Sequence, residues 1–214
     1  MSDDSLSRVF SFHLVIALLV MASACSEKSP VGSLKQENLL LRERREKDIA
    51  FKSKADSPIP DEDKAMFQGL SYFDPNLHLR FRVKLNRHPG PRTLKLGTNT
   101  GEMRDALRYG YFDFQVQGQA CRLQVYRTEE DQGSAPHLFV PFRDATSGKT
   151  TYAAGRYLDF RENTTGIYGL DFNQAYNPYC AYGKGYSCPL PPAENTLPVP
   201  IPAGEKNYPL ARER

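Results

Sequence analysis

Leu77-His-Leu-Arg-Phe-Arg-Val-Lys-Leu85 alternates without a break: Leu77, Leu79, Phe81, Val83 and Leu85 share one face, and His78, Arg80, Arg82 and Lys84 share the other. A strict period of two is the signature of a strand with one face buried and one in water, the usual state of an antiparallel sheet. Arg87-His-Pro-Gly-Pro91 then reads as a turn, because Pro and Gly punctuate local structure most strongly. Beyond it the same reading predicts strands over 93–96, 108–116, 120–127, 137–142, 152–160 and 166–172. Turn signals separate them at Asn99-Thr-Gly101, Gln117-Gly118, Glu130-Asp-Gln-Gly133, Thr146-Ser-Gly-Lys149 and Glu162-Asn-Thr164. Seven short strands at this spacing predict a mainly β fold, an antiparallel meander closed as a barrel or folded as a sandwich.

After Phe172 the period stops. The stretch Gly169–Lys206 is dense in proline and also carries Cys180, Cys188 and a crowd of Tyr, Asn, Asp and Glu. Each proline removes a ladder donor, so this stretch is expected to wrap the sheet as an extended C-terminal arm. Upstream of the first strand, Ser33-Leu-Lys-Gln36 has the form of a capping box, which predicts a helix from Ser33 to about Lys52. Its apolar residues Leu34, Leu40, Leu41, Ile49 and Phe51 form a narrow stripe, and its charges read as a solvated face. Asp56-Ser-Pro-Ile-Pro-Asp61 ends it, a second short helix is expected over 60–67, and Phe67, Leu70, Tyr72 and Phe73 read as a plug against the core.

The first residues read as an export signal. An apolar run from Val9 to Met21 is followed by Ala22-Ser-Ala24 and then Cys25, and such a run is shorter than the roughly 20 residues a spanning helix needs. Residues 1–24 are therefore expected to be a cleaved signal peptide. Ala-Ser-Ala-Cys resembles a lipobox, which makes Cys25 the lipidated N-terminus, residues 25–33 a tether, and 34–210 one β-rich domain. The alternative is cleavage after Ala24 to give a soluble periplasmic protein. Ser26 after the cysteine resembles the outer-membrane sorting pattern of bacteria with two membranes. The net charge of +3 is spread over interspersed Lys, Arg, Asp and Glu, which gives no support to nucleic-acid binding.

No complete catalytic or cofactor motif appears, and no cofactor or metal is expected. Cys121 alternates with Leu123 and Val125 and reads as a buried thiol. Cys180 and Cys188 close a short loop, and in an exported protein a disulfide is the natural reading. The spacing between them is not a zinc spacing. Asp171 and Asn173 project together on the face opposite Tyr168, Leu170 and Phe172. With Asn177, Glu194, Asn195 and Glu205 they could line a polar pocket under the arm, or simply bond the backbone of an irregular segment. Arg156 and Asp159 are expected to form an ion pair beside that face. Tyr176, Tyr179, Tyr182 and Tyr186 are a candidate aromatic surface for a glycan or peptide, or else pack the arm onto the barrel. Two functions follow. One is a non-catalytic envelope domain that binds a glycan, a peptide or another envelope protein. The other is a hydrolase using Asp171 and Glu194 beneath the arm.

The strings Thr146-Ser-Gly148, Tyr152-Ala-Ala-Gly-Arg-Tyr-Leu-Asp159, Leu170-Asp-Phe-Asn-Gln-Ala-Tyr-Asn-Pro-Tyr-Cys-Ala-Tyr182, Cys188-Pro-Leu-Pro-Pro-Ala-Glu-Asn195 and Ile201-Pro-Ala-Gly-Glu-Lys206 resemble the domain-of-unknown-function family numbered 1684. Phe67-Gln-Gly-Leu-Ser-Tyr-Phe73 resembles its N-terminal block, and the likeness runs from about Glu37 to Tyr208. The chain departs from the pattern in having no tryptophan, which relatives are expected to carry near Leu41 or Tyr186. The resemblance implies a single bacterial or archaeal domain, often exported and often a lipoprotein. It implies no activity and no functional residues.

Overall fold

A computed structural model describes residues 30–128 and 137–211, with side chains of the first helix from Leu34 onward. Helix α1 (Pro30–Ser53) and the single turn α2 (Asp61–Lys64) precede six strands: β1 (Arg80–Gly97), β2 (Met103–Val116), β3 (Gln119–Thr128), β4 (His137–Phe142), β5 (Arg156–Arg161) and β6 (Ile167–Asp171). All pairs are antiparallel, in the order β5-β4-β3-β2-β1-β6. The sheet curls into a nearly closed barrel, which decides between the two architectures the alternation allowed. Phe160 of β5 meets Tyr168 of β6 edge to face at 5.8 Å, and just beyond β6 Tyr176 exchanges two backbone hydrogen bonds with Tyr157 of β5, at 2.9 and 3.1 Å. The post-β6 chain thus closes the seam that β6 itself leaves open.

The strand count is six because the two strands expected over 77–85 and 93–96 are one. The ladder between β1 and β2 runs Arg87↔Gly110 and then Arg92↔Arg108, so His88-Pro-Gly-Pro91 is a bulge inside β1, not a turn that ends it. Two prolines without N–H groups cannot hold the ladder, but the flanking hydrophobic pattern resumes pairing with the same partner. Leu77–Leu79 forms a 3-10 turn before the strand, started by the Asn76 carboxamide accepting from the His78 N–H at 3.0 Å. The turn at Gln117-Gly118 is as expected: both residues have positive φ, 50° and 80°, the geometry that matches strand twist in a two-residue hairpin. The turn signal at 130–133 lies outside the described residues.

Alternate residues of all six strands fill the barrel, among them Val83, Phe112, Leu123, Val140, Leu158 and Leu170. Cys121 is buried with them, as its strand face requires. The C-terminal arm joins this core: Leu197, Val199, Ile201 and Ala203 are buried, whereas Pro198, Pro200 and Pro202 between them are exposed. Extended chain alternates sides even when proline prevents it from laddering. The arm therefore contributes apolar side chains to the barrel while keeping its donor-free prolines in water. A second small core of Phe51, Ile59, Phe67, Tyr182 and Tyr208 fastens the end of α1 to the arm.

Helix α1 begins at Pro30, so Ser33 lies within it and not at its cap; proline suits the first helical turn, where its missing N–H has no intrahelical partner. Its inward stripe also differs from the apolar one. Leu40, Arg44 and Phe51 are buried with Lys47 and Asp48 half-buried beside them, while Leu34 and Ile49 are exposed. Charged side chains, which composition alone assigns to water, dock this helix. Among the described residues no helix is long and apolar enough to cross a membrane; the leader, Cys25 and most of the tether lie outside the described residues.

Candidate functional site

The arm reaches its last turn at Gly204, with φ of +76°, where a Cβ would lie 2.5 Å from the Ala175 carbonyl oxygen and 2.7 Å from that of Phe172. Only glycine permits both the left-handed backbone and this approach. The close packing delivers Glu205 to a buried position between the arm, the post-β6 turn and α1. Glu205 is 1% exposed. Its Oε1 accepts from Lys47 Nζ at 2.5 Å, and its Oε2 accepts from the Asn177 N–H at 2.9 Å and from the Tyr182 hydroxyl. The Lys47 ammonium also stands over the rings of Phe51 and Tyr176, 5.0 and 5.2 Å from their centroids.

One turn earlier on α1, Arg44 lies 4.5 Å over the Tyr72 ring. It donates to the carbonyl oxygens of Phe73 at 2.8 Å and Asn173 at 3.3 Å. Burial lowers its pKa, against the pull of Tyr72 and of the carboxylates of Glu205, Asp171 and Asp74. Burial, reinforced by Glu205 and Asp48, raises the Tyr72 phenol well above its ordinary range. Asp48 takes the Leu70 N–H at 3.0 Å, and burial holds its carboxyl above the usual carboxylate range. Arg44, Lys47, Tyr72, Asn173, Tyr176 and Glu205 surround a cleft of about 270 Å³ whose apolar walls include Leu40 and Ala175. Two of its lining residues each carry a buried polar atom, Arg44 Nε and the Tyr72 hydroxyl, with no hydrogen-bond partner among the described residues.

The residues singled out in the sequence divide among four places. Asn173, Glu205 and Tyr176 line this cleft. Asp171 stands next to it, capping the Asn173 N–H at 3.0 Å with Arg80 at 3.5 Å from its other oxygen. Asn173 itself clamps the Asn76 backbone, accepting from its N–H at 2.7 Å and donating to its carbonyl at 2.9 Å. Asn177 donates to the Lys206 carbonyl at 2.8 Å.

Glu194 and Asn195 sit against β2 and β3 instead. Arg108 grips Glu194 with two bonds of 3.1 and 2.7 Å, and Tyr126 donates a third at 2.6 Å. Burial alone raises the Glu194 carboxyl, but the bonds from Arg108 and Tyr126 outweigh it and hold the group below the ordinary glutamate range. Asn195 enters the sheet where β3 and β4, paired only at Tyr126↔Phe139 and Arg127↔Leu138, part company. Its carboxamide accepts from the Gln124 N–H at 2.7 Å and donates to the carbonyls of Gln124 at 3.0 Å and Pro141 at 2.7 Å. It replaces a missing stretch of ladder opposite a proline that has no donor. Asp171 and Glu194 thus hold separate partners, Arg80 and Arg108, and neither is on the lining of the cleft beside α1.

The third place is the barrel end below the arm. Arg156 is fully buried, and it does not pair with Asp159. It pairs with Asp144 at 2.9 Å and donates to the carbonyls of Ile201, Ala203 and Glu205. An expectation based on sequence neighbours missed a partner just beyond the end of the adjacent strand β4, where Phe142 pairs with Arg156. Asp159 instead meets His137 at 3.1 Å and takes the Tyr176 hydroxyl at 2.5 Å.

The fourth place is the short loop of the arm. Cys180 and Cys188 are two thiols here, not a disulfide. The Cys180 N–H reaches Cys188 Sγ at 3.2 Å. A thiol hydrogen bond from Cys180, aided by Arg104, brings Cys188 down to about 7, while Cys180, which keeps the proton, is pushed up. The tyrosines divide as well: Tyr179 is exposed at 46%, Tyr176 and Tyr186 are half-buried, and Tyr182 is fully buried, so they are no continuous aromatic surface.

Arg44, Lys47, Asp48 and Tyr72 were not among the residues expected at a site. The spacing Leu40, Arg44, Lys47, Phe51 held the signal, since three and four residues apart is one helical face. A larger hollow of about 570 Å³ lies around the α1–α2 connection and Gly183–Tyr186. Its lining charges Asp61 and Lys64 pair with one another at 2.7 Å, and among the described residues no unpartnered buried side-chain atom faces it. No group of three or more His, Cys, Asp or Glu among the described residues is placed to hold a metal ion.

The model of the protein family of unknown function DUF1684 matches residues 65–206. The chain belongs to this family. The match spans all six strands and the arm through Lys206, and it leaves α1, with its Arg44 and Lys47, and α2 outside. Among solved structures, an uncharacterized protein of Haloarcula marismortui, determined in solution by NMR, is 37% identical, with 83% of this chain and 97% of that one covered and a TM-score of 0.64. No curated protein matches.

Proposed function

We propose that this protein is a non-catalytic binding domain of the bacterial envelope, exported, anchored by lipid at Cys25, and recognising its partner at the cleft between α1 and the C-terminal arm. The observation that carries the reading is the pair of buried, unpartnered atoms, Arg44 Nε and the Tyr72 hydroxyl, on two residues that line one cleft. Buried polar atoms are nearly always satisfied, so two left over in a cleft mark where an outside acceptor fits. The carboxylates support binding over catalysis: Glu205 is saturated by Lys47, Tyr182 and Asn177, and Glu194 is held ionised by Arg108. Neither is placed as a proton shuttle.

The address is read from Ala22-Ser-Ala-Cys25. Mass spectrometry of the mature N-terminus is expected to find an acylated Cys25; an unmodified one would make the protein a soluble periplasmic form. In the oxidising envelope the Cys180–Cys188 pair is expected to close as a disulfide, because the two thiols already share a hydrogen bond. The site is tested by adding size-fractionated envelope extract to isotope-labelled protein. Backbone amide signals of residues 44–48, 72 and 173–176 are expected to shift, and to shift less at the same extract concentration in Tyr72→Phe. Shifts confined to other surfaces would rule the cleft out.

A further inference from the structure

The charge balance of the cleft narrows its ligand. Its two cations are already matched: Lys47 by Glu205, and Arg44 by the fields of Glu205, Asp171 and Asp74. Glu43 also lines the cleft and Asp48 acts on Tyr72. An anion entering here would meet this surplus of carboxylates. A cation would find both Glu205 oxygens occupied and the Lys47 ammonium beside them. What remains unsatisfied is uncharged chemistry: the Arg44 Nε–H, which can only donate, and the Tyr72 hydroxyl, which burial keeps protonated and which both donates and accepts.

The walls add a second constraint. Leu40, Ala175 and the Tyr176 ring give apolar surface, and Tyr176 is fixed in place by Asp159 and by its edge contact with Tyr157 at 5.8 Å. A volume of about 270 Å³ lies just below the range typical of drug-sized ligands, so the occupant is about one ring in size. A peptide strand is less well matched, because strand addition needs an unpaired sheet edge and this lining is helix and irregular chain.

We infer that the cleft binds one neutral sugar ring, its C–H face against Leu40, Ala175 and Tyr176 and its oxygens on Arg44 Nε and the Tyr72 hydroxyl. This rests on the cleft being the binding site. The natural source is the glycan of the envelope.

The test uses rings that differ only in charge. Isotope-labelled protein is titrated with a panel of neutral methyl glycosides (glucose, galactose, mannose and N-acetylglucosamine), with the cationic methyl glucosaminide and with the anionic methyl glucuronide. A neutral glycoside is expected to shift the amides of Arg44, Tyr72, Ala175, Tyr176 and Glu205 and to saturate. The charged rings are expected to need at least tenfold higher concentration. Tyr72→Phe, which keeps the ring under Arg44, is expected to weaken the neutral glycoside about fivefold with its thermal transition nearly unchanged. Equal or tighter binding of the glucuronide would overturn the neutral-ring inference in favour of an anion. Saturation by an acetylated tripeptide amide, with every sugar inert, would overturn it in favour of a peptide. In both cases the cleft still binds. Inert sugars together with envelope extract that leaves the same amides unmoved would remove the cleft itself.

Discussion

Single side chains stand in for backbone at three points of this fold. Asn195 is the clearest, because its carboxamide satisfies one N–H and two carbonyls that the parted β3 and β4 leave open. Asn195→Ala is expected to cost about 3 kcal/mol or more, read from chemical denaturation, since each buried group left unpaired costs roughly 1–3 kcal/mol. Arg156 does similar work for the carbonyls of the arm, and Asn173 for the backbone of Asn76. This explains how little of the candidate site was legible in the residues. Asn, Asp and Glu on an irregular arm look the same in sequence whether they face a ligand or a carbonyl, and only the fold separates Glu205 in the cleft from Asn195 in the sheet. The cysteines give a second outcome at this scale. With the Cys188 thiol held down by the Cys180 hydrogen bond and the Cys121 thiol raised by burial, alkylation of the reduced protein is expected to label Cys188 ahead of Cys121. Loss of that preference in Cys180→Ala would confirm that Cys180 supplies the stabilising bond.

At the scale of elements, the barrel was legible because alternation survives wherever one face is buried. It misled at two places for physical reasons. The Pro-Gly-Pro insertion in β1 breaks the ladder without redirecting the strand, and local signals do not carry that distinction. Helix α1 docks by Arg44, Lys47 and Asp48, whose partners sit on the body at positions 73, 205 and 70. A hydropathy stripe cannot see contacts of that kind. Docking through charge leads to a sharp expectation: Lys47→Met strands the Glu205 carboxylate in a buried site and is expected to destabilise by about 3 kcal/mol, as breaking one half of a buried pair does. Adding Glu205→Gln to it should restore much of the loss, because the amide carries no charge to strand. The Arg108–Glu194 grip on the opposite side behaves differently with pH. Its folded carboxyl is held below the ordinary range, so its contribution is present above the unfolded glutamate value and fades as pH falls through the folded one. Glu194→Gln is expected to lower stability at neutral pH, where the grip is ionised, and to converge with the wild type in acid, which flattens the acid limb of the stability curve.

For the molecule as a whole, the order of the chain and the order of the barrel do not agree. Leu197, Val199, Ile201 and Ala203 fill the core, yet they come after every strand, and the Arg156 guanidinium waits for carbonyls at 201, 203 and 205. A sheet made by residues 80–171 therefore has an open interior until the arm arrives. Contacts so distant in sequence slow folding, because loop closure must precede any gain from burial. A chain cut after Thr196 is expected to bind a hydrophobic dye and to lose its cooperative thermal transition. Under the export proposed above, this late-arriving core would act as a timer: the barrel cannot lock on the near side while Leu197, Val199, Ile201 and Ala203 are still unmade, and the chain stays threadable until they emerge.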